Sequence, residues 1–291
     1  MWKLLQIELY KIYRRPRTYI SFAAITALIC VIQLGLKVDG EAYLDFLMNS
    51  LKDNFDFDGK ILNGYLVCYV ILQLLLIHVP LLISLIAADM ISGEANMGTL
   101  RLLLTKPVSK TNFILAKFFA SAIYTLTLLT WIAVFALAGS IWLFGADDLI
   151  IQKTSYVVQI ASNDVLWRYI GAFFFAYLSM LTVAAIGFFF SIFAENSIGP
   201  IITTMSIIIV FTILSTMSIP IFQKIQPYLF TTHMVNWKEF FDEQVNDQNV
   251  VVSGSIQNMP GLLSSALVLV LHIVGLVTAS VIVFRKKDVL S

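Results

Sequence analysis

Residues 92–110, SGEANMGTLRLLLTKPVSK, lie between two long apolar runs and carry Glu94, Arg101, Lys106 and Lys110 where the flanks carry almost no charge. Two apolar runs of membrane-crossing length, joined by a short charged helix and a proline, describe a membrane protein with a surface built to be touched. The whole chain agrees with this. Of its 291 residues 59% are hydrophobic and 13% charged, where a soluble domain carries about a quarter charged. Water is not its main solvent.

Working outward from that stretch, six runs are long enough to cross about 30 Å of hydrocarbon, which takes about 20 residues. They are 18–36, 61–88, 113–144, 168–194, 198–222 and 260–284. The expected fold is an all-α polytopic membrane protein: an interfacial helix over 1–17, then a single transmembrane domain over 18–291. The third run is longer than a bilayer needs, and Gly139 and Gly145 mark its far end for a break. Within 1–17, Trp2, Leu5, Leu9, Ile12 and Tyr13 share one helical face while Lys3, Lys11 and Arg14 lie opposite. Such a helix lies in the headgroup layer, and Pro16 ends it. The first apolar run starts too far in, and runs too long, for a cleavable signal peptide.

Basic residues orient the spans. With the N-terminus in the cytoplasm, 12 of the 19 basic and 5 of the 18 acidic residues fall inside. The inner side is then +7 and the outer side −6, and the even number of spans returns the C-terminus to the cytoplasm. The outer loops are 37–60, 145–167 and 223–259. The first holds Asp39, Glu41, Asp45, Asp53, Asp56 and Asp58 without the spacing of a calcium loop, so it reads as a solvated acidic loop. The last interleaves Tyr228, Phe230, Trp237, Phe240 and Phe241 with polar residues, as in a helix lying at the outer interface or partly re-entrant.

Several chemistries are excluded. The nearest approach to a phosphate cradle, Gly35 to Gly40, continues with Glu41 and Ala42 where Lys and Ser or Thr are required. His78, His233 and His272 lack ligand spacing to one another or to Cys30 and Cys68, so no metal is expected. The cysteines read as buried small apolar groups. Neither a nucleophile elbow nor a zinc-protease motif occurs. Charges within the spans are too few for a proton relay: Asp89, Glu195, Lys117 and Arg168 stand near the ends, and His78 and His272 read as packed polar groups. Neither a catalytic nor a cofactor-binding residue is expected, and no nucleic-acid partner.

In the central stretch itself, the second span leaves the membrane near Asp89. A short helix is expected to start near Glu94, whose carboxylate suits the positive helix end. Met97, Leu100 and Leu104 fall on one face, Pro107 prevents continuation, and Ser109 or Thr111 caps the third span. A short amphipathic helix tied to two spans at the cytoplasmic surface is a lever.

The string Glu94-x-x-x-Gly98-Thr99-Leu100-Arg101-x-Leu103-Leu104-x-x-Pro107-Val108-Ser109-Lys110, followed by Phe113 and Lys117, resembles the signature between the second and third spans of ABC-2-type permeases, the membrane subunits of a class of ABC exporters. The final basic position is often arginine there, and Lys110 keeps the charge without the fork geometry. The resemblance implies that this stretch couples to a separate ATPase subunit, present twice, which binds ATP and magnesium while this chain holds no cofactor. It implies a second permease copy, as homodimer or related heterodimer, surrounded by lipid in the inner membrane of a prokaryote. The coupling residues are then Glu94, Met97, Gly98, Thr99, Leu100, Arg101, Leu104, Lys106, Pro107 and Lys110. Gly98 would allow close backbone approach, Arg101 and Lys106 would make charged contacts, Leu100 and Leu104 would be apolar anchors, and Pro107 would set the angle into the third span. Two other functions fit less well: an ATPase-driven movement acting on an envelope partner, for which the outer loops are short, and an ATPase-independent carrier, for which internal repeats and mid-span charges are lacking.

Overall fold

The computed structural model describes residues 1–48, 60–104, 108–153, 157–245 and 251–287. Helix α1 (Trp2–Arg14) stops at Arg15, which is extended (φ −83°, ψ 133°), and α2 (Pro16–Met48) starts at Pro16. Proline pushes its predecessor out of the helical region and suits a first helical position, so it ends one helix and opens the next. α2 runs past residue 36 through a non-helical Asp39. Asp39 therefore lies within a helix, and the acidic residues 53, 56 and 58 lie outside the described residues.

The second span is broken. α3 (Gly64–Leu74) and α4 (His78–Ala87) meet at 56°. Pro80 has no N–H for the Leu76 carbonyl, and its ring crowds that carbonyl. At the break His78 donates from Nδ1 to the Leu74 carbonyl at 3.1 Å, as backbone groups inside hydrocarbon require an internal partner. His272 does the same to Val268 at 2.8 Å. His272 is half-buried, whereas His78 is exposed, so only His272 fits the expected packed polar group.

Short helices α5 (Asp89–Asn96) and α6 (Thr99–Leu104) lead to α7 (Lys110–Ala133). Ser109 caps α7, its Oγ accepting from the Asn112 amide at 3.2 Å. The helix widens into a π-turn over Val134–Ala138 and resumes as α8 (Gly139–Phe144). Gln33 donates to the Phe135 carbonyl within that widened turn at 2.9 Å. Gly145, at φ +83°, then stops the helix, so the break expected near Gly139 and Gly145 is a π-turn followed by a glycine stop.

Strands β1 (Leu149–Gln152) and β2 (Val157–Ile160) form an antiparallel hairpin with Leu149 opposite Ile160. α9 (Ser162–Ser191) begins six residues before the expected 168, and α10 (Ile198–Thr216) ends six before 222. The aromatic segment is not one interfacial helix. It breaks into α11 (Pro220–Gln223), a 3-10 turn Gln226–Tyr228, α12 (Phe230–Met234) and a 3-10 segment Asn236–Phe241. Phe230, Trp237 and Phe241 are buried and only Tyr228 is well exposed. The ring of Phe241 packs 4.8 Å from Tyr169 and 5.4 Å from Tyr69, so aromatic burial against α3 and α9 overrides the amphipathic pattern. A second small hairpin, β3 (Gln244–Val245) with β4 (Val251–Val252), leads to α13 (Met259–Lys286).

Among the described residues five helices are long and apolar enough to cross a membrane, six if the bent pair is one span. The protein is an all-α polytopic membrane protein. α9 is its centre: 56% of its most apolar window is buried in the chain, against 11% for α10. Lys110 Nζ donates to the carbonyls of Arg285 (3.3 Å) and Lys287 (3.0 Å), tying the start of α7 to the end of α13. Because α1 also packs on α7, both termini sit at one end of the bundle.

Candidate functional site

At that terminus-bearing end the second span turns into α5. Asp89 opens α5, where a carboxylate favours the positive helix end. It takes Arg15, Arg17 (2.9 Å) and the Ser197 hydroxyl. This joins α2 and α10 to α5. Gly93 makes room for it, since a Cβ there would stand 2.4 Å from Asp89 Oδ1.

Glu94 is not at the start of a helix. It lies near the end of α5, 2% exposed, and its Oε1 takes Lys11 at 2.7 Å and Lys117 at 2.8 Å. Glu8 completes the group, Oε1 to Lys11 and Oε2 to Lys117, both at 2.8 Å. Two carboxylates and two ammoniums from α1, α5 and α7 thus neutralise one another inside the protein. Lys11 turns inward to make these pairs, which corrects its expected place on the headgroup face. A void of about 10 Å³, the size of one water, adjoins the cluster, and Glu94 Oε2 has no hydrogen-bond partner.

Burial by itself would raise the pKa of Glu8, but the ammoniums of Lys117 and Lys11 outweigh it and hold the carboxyl below its ordinary 4.5. Burial would likewise lower Lys11, and its bonds to Glu8 and Glu94 outweigh that and raise it above 10.5. Glu8 and Lys11 therefore stay charged across the neutral range.

Beyond Glu94 α5 ends, and the chain breaks before α6. Gly98 adopts φ +68°, with Met97 N bonded to Gly93 O and Gly98 N to Ala95 O. This left-handed stop favours glycine, and nothing stands within 4 Å of where its Cβ would be. Thr99 donates from Oγ1 to the Glu94 carbonyl at 3.3 Å and opens α6. Met97 is 57% exposed and Leu102 68%, whereas Leu100 is 5% exposed and belongs to the core. Met97 and Leu100 therefore do not share a face, and Leu100 anchors α6 to its own chain instead of pointing outward as expected. The helix break at Gly98 rotates the two apart, which a single helical wheel does not represent. Arg101 and Leu104 lie in α6; Lys106 and Pro107 lie outside the described residues. Lys110 is engaged with the end of α13.

The inward members Glu8, Lys11 and Lys117 were not picked out as a group with Glu94. Two signals were present: a lone acid among the cations of 1–17, and a lone lysine one turn inside an apolar run.

At the opposite end Arg168, fully buried, donates to Asp164 (2.5 Å), Glu243 (2.9 Å) and the Phe240 carbonyl (2.8 Å). Lys153 pairs with Asp242 at 2.9 Å. Neither pair touches the stretch 92–104. Among the described residues no His, Cys, Asp and Glu cluster could hold a metal ion.

The family described as "ABC-2 family transporter protein" has a sequence model that matches residues 2–289. Comparison with curated proteins gives no match. With spans, folded turn between the second and third of them, and a match over nearly its full length, the chain belongs to the ABC-2 family of membrane transporter proteins.

Proposed function

We propose that this chain is the membrane subunit of an ATP-driven exporter, and that α5 and α6 seat in a separate ATPase subunit. The observation that carries this reading is the two-sidedness of the 89–104 segment. Its outer side presents Met97, Leu102 and the open backbone of Gly98. Its inner side is bolted to α1 and α7 by Glu94 and to α2 and α10 by Asp89. A push on α6 then has to move the first, third and fifth spans together. Exposed apolar groups rimmed by polar ones mark a protein contact, and the bolts turn that contact into a lever.

The basic bias of the terminus-bearing end supports a cytoplasmic position for it, on the side where ATP is found. Magnesium and ATP belong to the ATPase, present in two copies with two membrane subunits in an inner membrane of prokaryotic type. The sparsely buried α10 supports a face covered by lipid or by the second copy. The test is co-purification of the tagged chain with a nucleotide-binding subunit, with Met97→Glu in parallel. Met97 is exposed, so this change leaves the fold intact and is expected to lower ATPase binding by at least about tenfold, the effect of one buried charge at an interface. Unchanged binding and hydrolysis would refute the docking assignment.

A further inference from the structure

A cavity of about 610 Å³ opens at the opposite end of the bundle, between α2, the outer half of the bent span and the β1–β2 hairpin. This lies within the range of sites that hold small ligands, about 300–1,000 Å³. Leu36, Leu66 and Val70 form its apolar wall, and Tyr69, Gln73 and Lys153 stand along its polar side. Leu66, Tyr69, Val70 and Gln73 recur at three- and four-residue spacing, so one face of α3 lines it. Two features specify an occupant. The wall runs along a membrane span, as an alkyl chain would. The polar side is rich in donors: two amides, two phenols and an ammonium, with no carboxylate among the described lining residues. Lys153 donates one hydrogen bond to Asp242 Oδ2 at 3.1 Å, which positions its ammonium and leaves further protons for another acceptor.

We propose that this cavity binds one anionic amphiphile, with an alkyl chain along Leu36, Leu66 and Val70 and its oxyanion head, carboxylate or phosphate, at Lys153 and Gln73. The inference concerns this chain alone and stands apart from the ATPase reading.

The test uses the full chain in phosphatidylcholine nanodiscs without any ATPase, labelled by a diazirine-bearing palmitic acid and mapped by peptide mass spectrometry. Labelling is expected to concentrate on 66–74 and 149–153 and to be displaced by unlabelled palmitate. Val70→Trp, which fills the cavity, and Lys153→Gln are each expected to reduce it about tenfold, the second by the loss of one charge-assisted hydrogen bond. If adding phosphatidylglycerol to the disc removes the labelling, the site belongs to a resident bilayer lipid; if it does not, the site takes a free single-chain amphiphile. Either supports the proposal. Labelling spread evenly over the lipid-facing helices and unchanged in Val70→Trp would overturn it. Equal labelling by the corresponding diazirine alcohol would overturn the oxyanion.

Discussion

The two ends of this bundle both bury charge, and they do so differently. At the terminus-bearing end Glu8, Lys11, Glu94 and Lys117 form a balanced set from three segments distant in sequence. At the opposite end one buried cation, Arg168, is shared by Asp164 and Glu243, an excess of acid. The balanced set is a bolt between a lever and the spans. The acid-rich set fastens a loop to the first turns of α9. A buried pair is poor evidence of stability, but losing one partner of it is costly. The contrast therefore concerns what each end transmits when disturbed.

Lys117→Met is expected to have the largest effect. It strands Glu8 and Glu94 in a site where Lys117 is 1% exposed, and a broken buried pair costs about 3–5 kcal/mol. Thermal unfolding in detergent measures it, and restoration by Glu8→Gln in the same chain would show that the stranded charge is the cause. Arg168→Met is expected to cost less, about 1–3 kcal/mol, because Asp164 is partly exposed and Glu243, whose carboxyl pKa burial already pushes up, can take a proton. It should loosen residues 236–245 to hydrogen exchange without altering α1. Equal losses at both ends would erase the distinction.

Acid separates the two ends by sign. The Glu8 carboxyl is depressed, so its contribution is present above its ordinary 4.5 and is lost as pH falls through the lower folded value. Glu243 is raised, by burial first, with Asp164 adding to it against the pull of Arg168. Its charged form is the disfavoured one, so what it contributes is present below 4.5 and lost as pH rises through its folded value. As pH falls below 4.5, α1 should begin to detach, as read by exchange of its amides, before the β3–β4 region loosens. The reverse order would contradict the assignment. Lys11, raised, keeps its pairs until pH passes above 10.5. The smallest expected effect is that of Gly98→Ala: about 1–2 kcal/mol of local strain from a Cβ at φ +68°, visible as fraying of α5 and reduced ATPase stimulation with little change in global melting.

How much of this was legible in the sequence follows from which interactions are local. Apolar run length placed the spans, Pro16 the first break, and Ser109 the cap, since each acts within a few residues. The hydrophobic stretch 61–88 also contained its own bend, in Pro80. What a wheel could not supply was which side of a helix meets another. Lys11 looks headgroup-facing until Glu94 approaches it from 83 residues away, and Leu100 looks outward until Gly98 breaks the wheel. The 145–167 segment carried β-branched pairs at 150–151 and 157–158 that mark a hairpin, yet it read only as a loop. The aromatic segment 226–241 was misplaced for the opposite reason: its pattern fits an interface, and the packing of Phe241 and Trp237 on Tyr69 pulls it inward.

The most direct test of the lever is to purify the tagged chain in mild detergent, identify what accompanies it and measure ATP hydrolysis, for the wild type and for Met97→Glu. The account predicts a stoichiometric nucleotide-binding subunit with the wild type and its loss from a variant that melts as the wild type does. A chain that purifies alone without hydrolysis, or a variant that retains its ATPase in full, would contradict it.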